Sequence, residues 1–284
     1  MRKLTASGRL LSIELGRAFA GRPMMVALAG GAAIVALHMT KIVPLSQEGA
    51  DTLARFGPKP TYSPPSLYQN WLGYDMSGAA SLLFLFLMPL LACLPYGTSL
   101  FDDRRRGYDI NVVSRVSRTQ FYLAKAAAVF AAGGVAVVFP LAIDLVATAS
   151  FLPAIRPEVT NYGIPETGMW SALFFAHPLI YVLSYIAVNF LWGGTIAMLA
   201  MLAGYVVHNR IVVVTAPLIV LWIVAFGFAS TPEGWAAKYS PMDLVNPHQV
   251  AIGISFGALA IEWLIVTGLA VGFLAMRARR DEAL

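Results

Sequence analysis

The chain has 284 residues and a formal charge of +5, is 58% hydrophobic and is only 12% charged, about half the charged share of a soluble domain. Its apolar residues run in blocks that reach the ~20 residues needed to cross a bilayer, which excludes a soluble globular domain and predicts an all-α, polytopic membrane protein rather than a barrel of short alternating segments. The basic residues flank the apolar blocks instead of forming a basic domain, which argues against a nucleic-acid partner, and the single cysteine, Cys93, excludes an intrachain disulfide and a cysteine-based metal cluster.

Residues 1–22 predict an amphipathic helix lying along a membrane surface, with Leu4, Leu11, Leu15 and Phe19 as its apolar stripe and Arg9, Ser12 and Arg17 elsewhere. This segment does not read as a cleavable signal peptide: the first apolar block begins only near Pro23, is too long for an h-region and lacks a small-x-small cleavage site. Residues 23–284 predict six membrane spans. They run from Pro23 to Pro44, Gly78 to Gly97, Phe121 to Phe151, up to Val207, Ile211 to Ala229, and Ile252 to Met276. Before the fourth, the chain is apolar from Met169 to Val207, with a break at His177-Pro178, because proline lacks a donor and disfavours helix just before it. This block is either two spans, or one span preceded by a short outer-surface or re-entrant helix over residues 169–180. Charge separates the two readings. Six spans with both ends inside place fifteen of the twenty Lys and Arg on the cytoplasmic side and five (Lys41, Arg55, Lys59, Arg156 and Lys238) outside, as the positive-inside rule requires. Seven spans would put Arg277, Arg279 and Arg280 outside. The predicted outer loops are residues 45–77, 152–168 and 230–251.

The cytoplasmic loop, residues 98–120, overlaps FDDRRRGYDINVVSRVSRTQFYLAK (101–125), which holds six basic residues. Asp109 is a good helix N-cap. Ile110, Val113 and Val116 approximate one helical face, so residues 109–117 predict an amphipathic helix of two or three turns. Ser117-Arg-Thr-Gln120 is a capping box and predicts a fresh helix start leading into span three. As lone charges, Arg104–Arg106, Arg115 and Arg118 need be no more than topology signals beside anionic lipid. A capped apolar element between two spans points further, to a docking helix for a cytoplasmic partner.

In these features the chain resembles the permease subunits of ABC-2 type transporters. The resemblance rests on topology over most of the chain and on Asp102, Asp103, Gly107, Ser117-Arg118, Tyr122 and Lys125 of the loop, with Val116 departing from the Pro that many relatives carry before the Ser-Arg pair. It implies a fold like that of type V ABC exporters, with a cytoplasmic coupling helix. It also implies a role as the membrane subunit of an ATP-driven exporter of a hydrophobic or amphipathic cargo such as a lipid, peptide or drug. The implied partners are an ABC ATP-binding subunit, which would carry ATP and Mg, and a second permease subunit, the same or different, in addition to membrane lipid. The docking residues would be Asp109, Ile110, Val113, Arg115, Val116 and Arg118. The expected location is a bacterial plasma membrane. No G-x-x-x-x-G-K-[ST] phosphate loop occurs in the sequence, so no cofactor is expected on this chain.

Ionisable groups inside a membrane are costly and mark candidate pathway residues. His38 falls in span one, Asp144 in the outer part of span three, His177 before span four and Glu262 in the outer half of span six. Asp144 either serves a pathway or sits near the headgroups. Glu262 either serves a pathway or bonds a neighbouring helix. Asn189 and Trp192 either line a pathway or pack. The rival class is a secondary transporter or channel using Glu262 and Asp144. An intramembrane hydrolase is disfavoured, because there is no H-E-x-x-H or G-x-S-x-G and the four histidines are scattered, and no enzymatic activity is expected of this chain.

Overall fold

The computed structural model describes residues 6–57, 64–75, 77–114, 116–157, 168–251 and 253–282. Among them the chain is all-α. In order, the helices are α1 (Ala6–Phe19), α2 (Arg22–Phe56), α3 (Leu67–Asn70), α4 (Ala79–Cys93), α5 (Ser99–Arg105), α6 (Tyr108–Val113), α7 (Arg118–Ala149), α8 (Ser171–Ala176), α9 (Pro178–Ala203), α10 (Arg210–Ala229), α11 (Pro241–Leu244) and α12 (Phe256–Glu282). Five of them, α2, α7, α9, α10 and α12, are long and apolar enough to cross a membrane. These five candidate spans make a multi-pass membrane protein the coarse reading of the chain.

The predicted second span is shorter than the apolar block suggests. Helix α4 has 15 residues, or ~22 Å of rise against a hydrocarbon layer of ~30 Å. Leu94–Thr98 turn before α5 carries the chain on. The first span is longer than predicted. Helix α2 does not stop at Pro44 but runs for 35 residues to Phe56, so the first part of the supposed outer loop 45–77 is helical. Pro44 removes one backbone donor, and the polar residues after it still favour helix. The break at His177-Pro178 falls where expected: α8 ends there, His177 leaves helical geometry, and Pro178 opens α9, where its missing N–H costs nothing.

Helices α7 and α9 form the centre of the bundle, with α2 and α4 packed beside them. Their contact is made close by paired glycines, Gly133-Gly134 on α7 and Gly193-Gly194 on α9. A Cβ on Gly133 would press into the Ala197 Cβ and stand 2.9 Å from the Gly193 carbonyl oxygen, and one on Gly134 would stand 2.7 Å from the Phe190 carbonyl oxygen. Small residues at such a crossing let backbones approach where lipid supplies no hydrophobic drive between helices. Gly133→Ala is therefore expected to lower thermal stability in detergent by about 1–3 kcal/mol. Gly227→Ala, on α10 with open space around it, should be neutral or stabilising by up to ~1 kcal/mol. Equal melting temperatures for the two variants would refute the close crossing.

The interior divides into two main clusters. The larger one surrounds Trp71, Met88, Val137, Tyr181, Tyr185 and Trp192. The second, at the end of the bundle that carries α1 and α6, gathers Leu10, Leu100, Phe121, Val129, Met201 and Leu274. That end is the basic end of the bundle, and its opposite is the far end. By contrast, α10 and α12 turn broad apolar faces outward, including Ile223, Phe226, Ile261, Leu264 and Leu269.

Candidate functional site

The loop between α4 and α7 is an ordered structure at the basic end. Its helix differs from the predicted one. Gly107, not Asp109, is the N-cap, with φ 67° and ψ 18°, a left-handed conformation that glycine adopts without steric cost. Asp109 sits in the first turn, where its carboxylate accepts from the Ile110 N–H at 3.0 Å and faces the positive end of the short helix. Helix α6 is only six residues long, so the helix predicted over 109–117 ends before Ser114. The next start is as the Ser-x-x-Gln pattern predicts: Ser117 caps α7 and its hydroxyl accepts from the Gln120 N–H at 3.3 Å.

The predicted apolar contact face divides. Ile110 is 73% exposed, whereas Val113 and Val116 pack, with Val112 and Tyr108, against the basic-end cluster. The physical reason is register: with the helix beginning at Tyr108 and breaking at Ser114, the valines fold back onto the bundle and Ile110 alone projects. Arg118 is half-buried at the start of α7, and Arg115 lies outside the described residues.

Beneath this loop lies a buried ionic network. Lys125, fully buried on α7, pairs with Asp103 of α5 and stands 2.9 Å from Glu14 of α1. Arg17 of α1 reaches both carboxylates, at 3.0 Å to Glu14 and 2.6 Å to Asp103. The Tyr96 hydroxyl donates to Glu14 at 2.7 Å, and the Arg17 guanidinium lies 4.3 Å from the Tyr108 ring centre. Two cations thus balance two anions, and each carboxylate has several donors, the condition under which buried charge is tolerated. Partial burial disfavours the charged form of Arg17, but the hydrogen bond to Asp103 and the nearby negative groups outweigh it and hold the guanidinium protonated more firmly than usual. The network ties three segments together: α1, the loop through Asp103, and α7. Two of its members, Asp103 and Lys125, belong to the loop pattern singled out in the sequence. Glu14 and Tyr96 were not anticipated.

The arrangement also revises α1. Its buried stripe is Leu10, Glu14 and Ala18, with Leu11 and Leu15 half-buried beside it, while Ile13 and Phe19 are exposed. Leu4 lies outside the described residues. The face expected to meet lipid is thus partly the face that meets α7.

A second network occupies the far end. His38 on α2 and Asp144 on α7, both buried, are brought together at 2.7 Å. The other oxygen of Asp144 accepts from the Leu72 N–H at 2.7 Å and from Thr148 at 3.3 Å. The second ring nitrogen of His38 stands 3.5 Å from Asp75, which Lys41 reaches at 2.5 Å. Ser77 also donates to Asp75, at 2.7 Å. The segment around Leu72 and Asp75 is thereby pinned to α2 and α7. Burial opposes ionisation of Asp75, but the nearby His38 imidazole and hydrogen bonds from Lys41 and Ser77 outweigh it and hold the carboxyl well below its ordinary value of 3.8. A lowered folded value means that the native state binds fewer protons than the unfolded state, so this contribution to stability is full above about pH 4–5 and is lost as pH falls toward the folded value. Hydrogen-exchange protection of residues 64–75 should therefore hold from neutral pH to about pH 5 and then decline, and Asp75→Asn should flatten that decline. An unchanged acid profile in Asp75→Asn would contradict the assignment.

The remaining candidates are not joined to either network. Asn189, buried on α9, donates to the Tyr185 and Val245 carbonyls at 2.9 and 3.1 Å, which fastens the segment before α12. Trp192 packs in the larger cluster. His177 is the cap of α9. Glu262 is half-buried on the outward-facing α12 and has no hydrogen-bond or ion-pair partner among the described residues. No group of three or more His, Cys, Asp or Glu is placed to hold a metal ion among the described residues.

Compared with models of known protein families the chain matches none, and no curated protein matches it significantly.

Proposed function

We propose that this chain is the membrane-spanning permease subunit of an ATP-driven ABC transporter of the ABC-2 kind, exporting a hydrophobic or amphipathic cargo with energy from a separate ATP-binding subunit. The observation that carries the reading is the loop between α4 and α7. It offers one projecting apolar side chain, Ile110, on a short helix, and it is pinned by Asp103 to Lys125 of α7 and to α1. A free connection would need neither feature. A docked ATPase that moved this loop would move α1 and the start of α7 with it, because the charges that join them are costly to separate in a low-dielectric interior.

On this reading α4, with the turn after it, is the sixth crossing, both termini face the cytoplasm of a bacterial cell, and ATP and Mg bind the partner. The outward apolar faces of α10 and α12 suit lipid or the second permease subunit. The secondary-transporter alternative gains less support. Asp144 is held by His38, the Leu72 N–H and Thr148, as a structural pin would be, and Glu262 stands apart from it on a peripheral helix.

The test is co-expression with the ATP-binding subunit expected from an adjacent gene. Ile110→Asp should abolish co-purification or reduce it at least roughly tenfold, since it places an unpaired charge in the contact, while the permease itself remains inserted and melts normally because Ile110 is exposed. Undiminished co-purification in Ile110→Asp would refute the proposed docking helix. Val113→Asp is the poorer probe, since Val113 also packs against the protein's own interior.

A further inference from the structure

A cleft of about 500 Å³ opens at the basic end between α5 and the α9–α10 junction, lined by Phe101, Arg104, Arg105, Tyr205, Val207 and His208. Its size falls within the ~300–1,000 Å³ typical of small-molecule sites. Arg104 lies with its guanidinium 4.5 Å from the Tyr205 ring centre, and Arg277 of α12 reaches the same ring at 5.5 Å and that of Phe273 at 5.7 Å. Two like charges therefore share one aromatic ring.

The two carboxylates of α5, nearest to Arg104 and Arg105 in the chain, are committed elsewhere. Asp102 accepts from Thr98 at 3.0 Å and stands 3.5 Å from Arg210, and Asp103 belongs to the buried network with Arg17 and Lys125. Among the described residues, Arg104 and Arg105 form no ion pair. A cleft lined by two unneutralised guanidinium groups, planar forks that fit phosphate oxygens two at a time, with a third on the same aromatic ring, calls for an anion.

Its surroundings select the source of that anion. Val206 is 77% exposed and Ile211 72% exposed at the same helix junction, so apolar side chains flank the cationic cleft. A soluble phosphate needs no such neighbours, whereas a lipid presents its phosphate to the arginines and its acyl chains to the apolar flank.

We propose that this cleft is a binding site for the phosphate headgroup of an anionic membrane lipid, held by Arg104 and Arg277 over Tyr205. The inference requires only that the chain lies in a membrane, and so stands or falls separately from ATPase docking.

The full chain is placed in nanodiscs of phosphatidylcholine with phosphatidylglycerol, and lipid retained after release is counted by native mass spectrometry. The wild-type protein should retain phosphatidylglycerol, and the Arg104→Ala/Arg277→Ala variant should retain at least roughly tenfold less, because two charge-assisted contacts are lost. Arg104→Lys/Arg277→Lys should be intermediate, since charge persists without the fork. Arg9→Ala, an exposed arginine on α1, should match the wild type, as should the melting temperature of every variant. Added inorganic phosphate should not displace the lipid. Equal retention by the wild-type and double-alanine proteins overturns the site. Displacement by inorganic phosphate overturns the lipid assignment in favour of a soluble phosphate.

Discussion

Lys125→Met should destabilise the protein by roughly 3–5 kcal/mol, the usual consequence of removing one partner from a buried ionic set. Lys125 is fully buried between Asp103 and Glu14. Without it, two carboxylates face each other with Arg17, itself partly exposed, as their one remaining cation. Methionine fills the space of the lysine stem but supplies no donor. The loss should appear as a much lower melting temperature in detergent, and as early proteolysis of α1, because Glu14 is the anchor of that helix. The triple change Glu14→Gln, Asp103→Asn and Lys125→Met removes charge from all three partners and should recover a substantial part of the stability. If Lys125→Met melted with the wild type, the network would not be buried in the native protein.

Asp144→Ala comes second, with an expected loss of about 3–4 kcal/mol. One carboxylate oxygen serves His38, and the other serves the Leu72 N–H and Thr148. Its removal leaves a buried backbone donor without an acceptor and takes away a charge-assisted bond, each worth roughly 1.5–3 kcal/mol. The effect should be local first: hydrogen exchange around Leu72–Asp75 should rise sharply while the centre of α9 stays protected. Asp144→Asn keeps an oxygen for the Leu72 N–H and should lose less. Uniform exchange in Asp144→Ala and wild type would mean that this segment is held by its aromatic contacts alone.

The apolar blocks made the long helices legible, because a run of twenty apolar residues has few alternatives to a buried or lipid-facing helix. Helix α10 begins one residue before the predicted span and ends with it. Helix ends were harder where they leave the apolar block. Nothing in Ser46-Gln-Glu48 marks a stop, and α2 runs on through it. The capping box at Ser117 was readable because Ser and Gln lie three residues apart and act locally. The start of α6 was misplaced because an aspartate and a left-handed glycine compete as N-terminal signals, and the glycine determines the turn. His38 and Asp144 were each conspicuous as ionisable residues among apolar ones, yet their pairing spans 106 positions, which no periodicity reports. Glu14 carried a weaker signal: an acid at i+4 from Leu10 and i−4 from Ala18 occupies a buried stripe and therefore needs a cation. Lys125, seven residues into an apolar helix, posed the same requirement in reverse.

On the proposed function, the α6 side of the loop faces a docked ATP-binding subunit in the cytoplasm. The most direct measurement of this is labelling of Ile110→Cys with a membrane-impermeant maleimide. The native Cys93 is fully buried, so the introduced thiol is the one that reports. Labelling should be rapid in inside-out vesicles, absent in intact cells, and slowed at least roughly tenfold when the ATP-binding subunit is co-expressed. Labelling from outside intact cells, or labelling that the ATP-binding subunit leaves unchanged, would contradict the proposed docking.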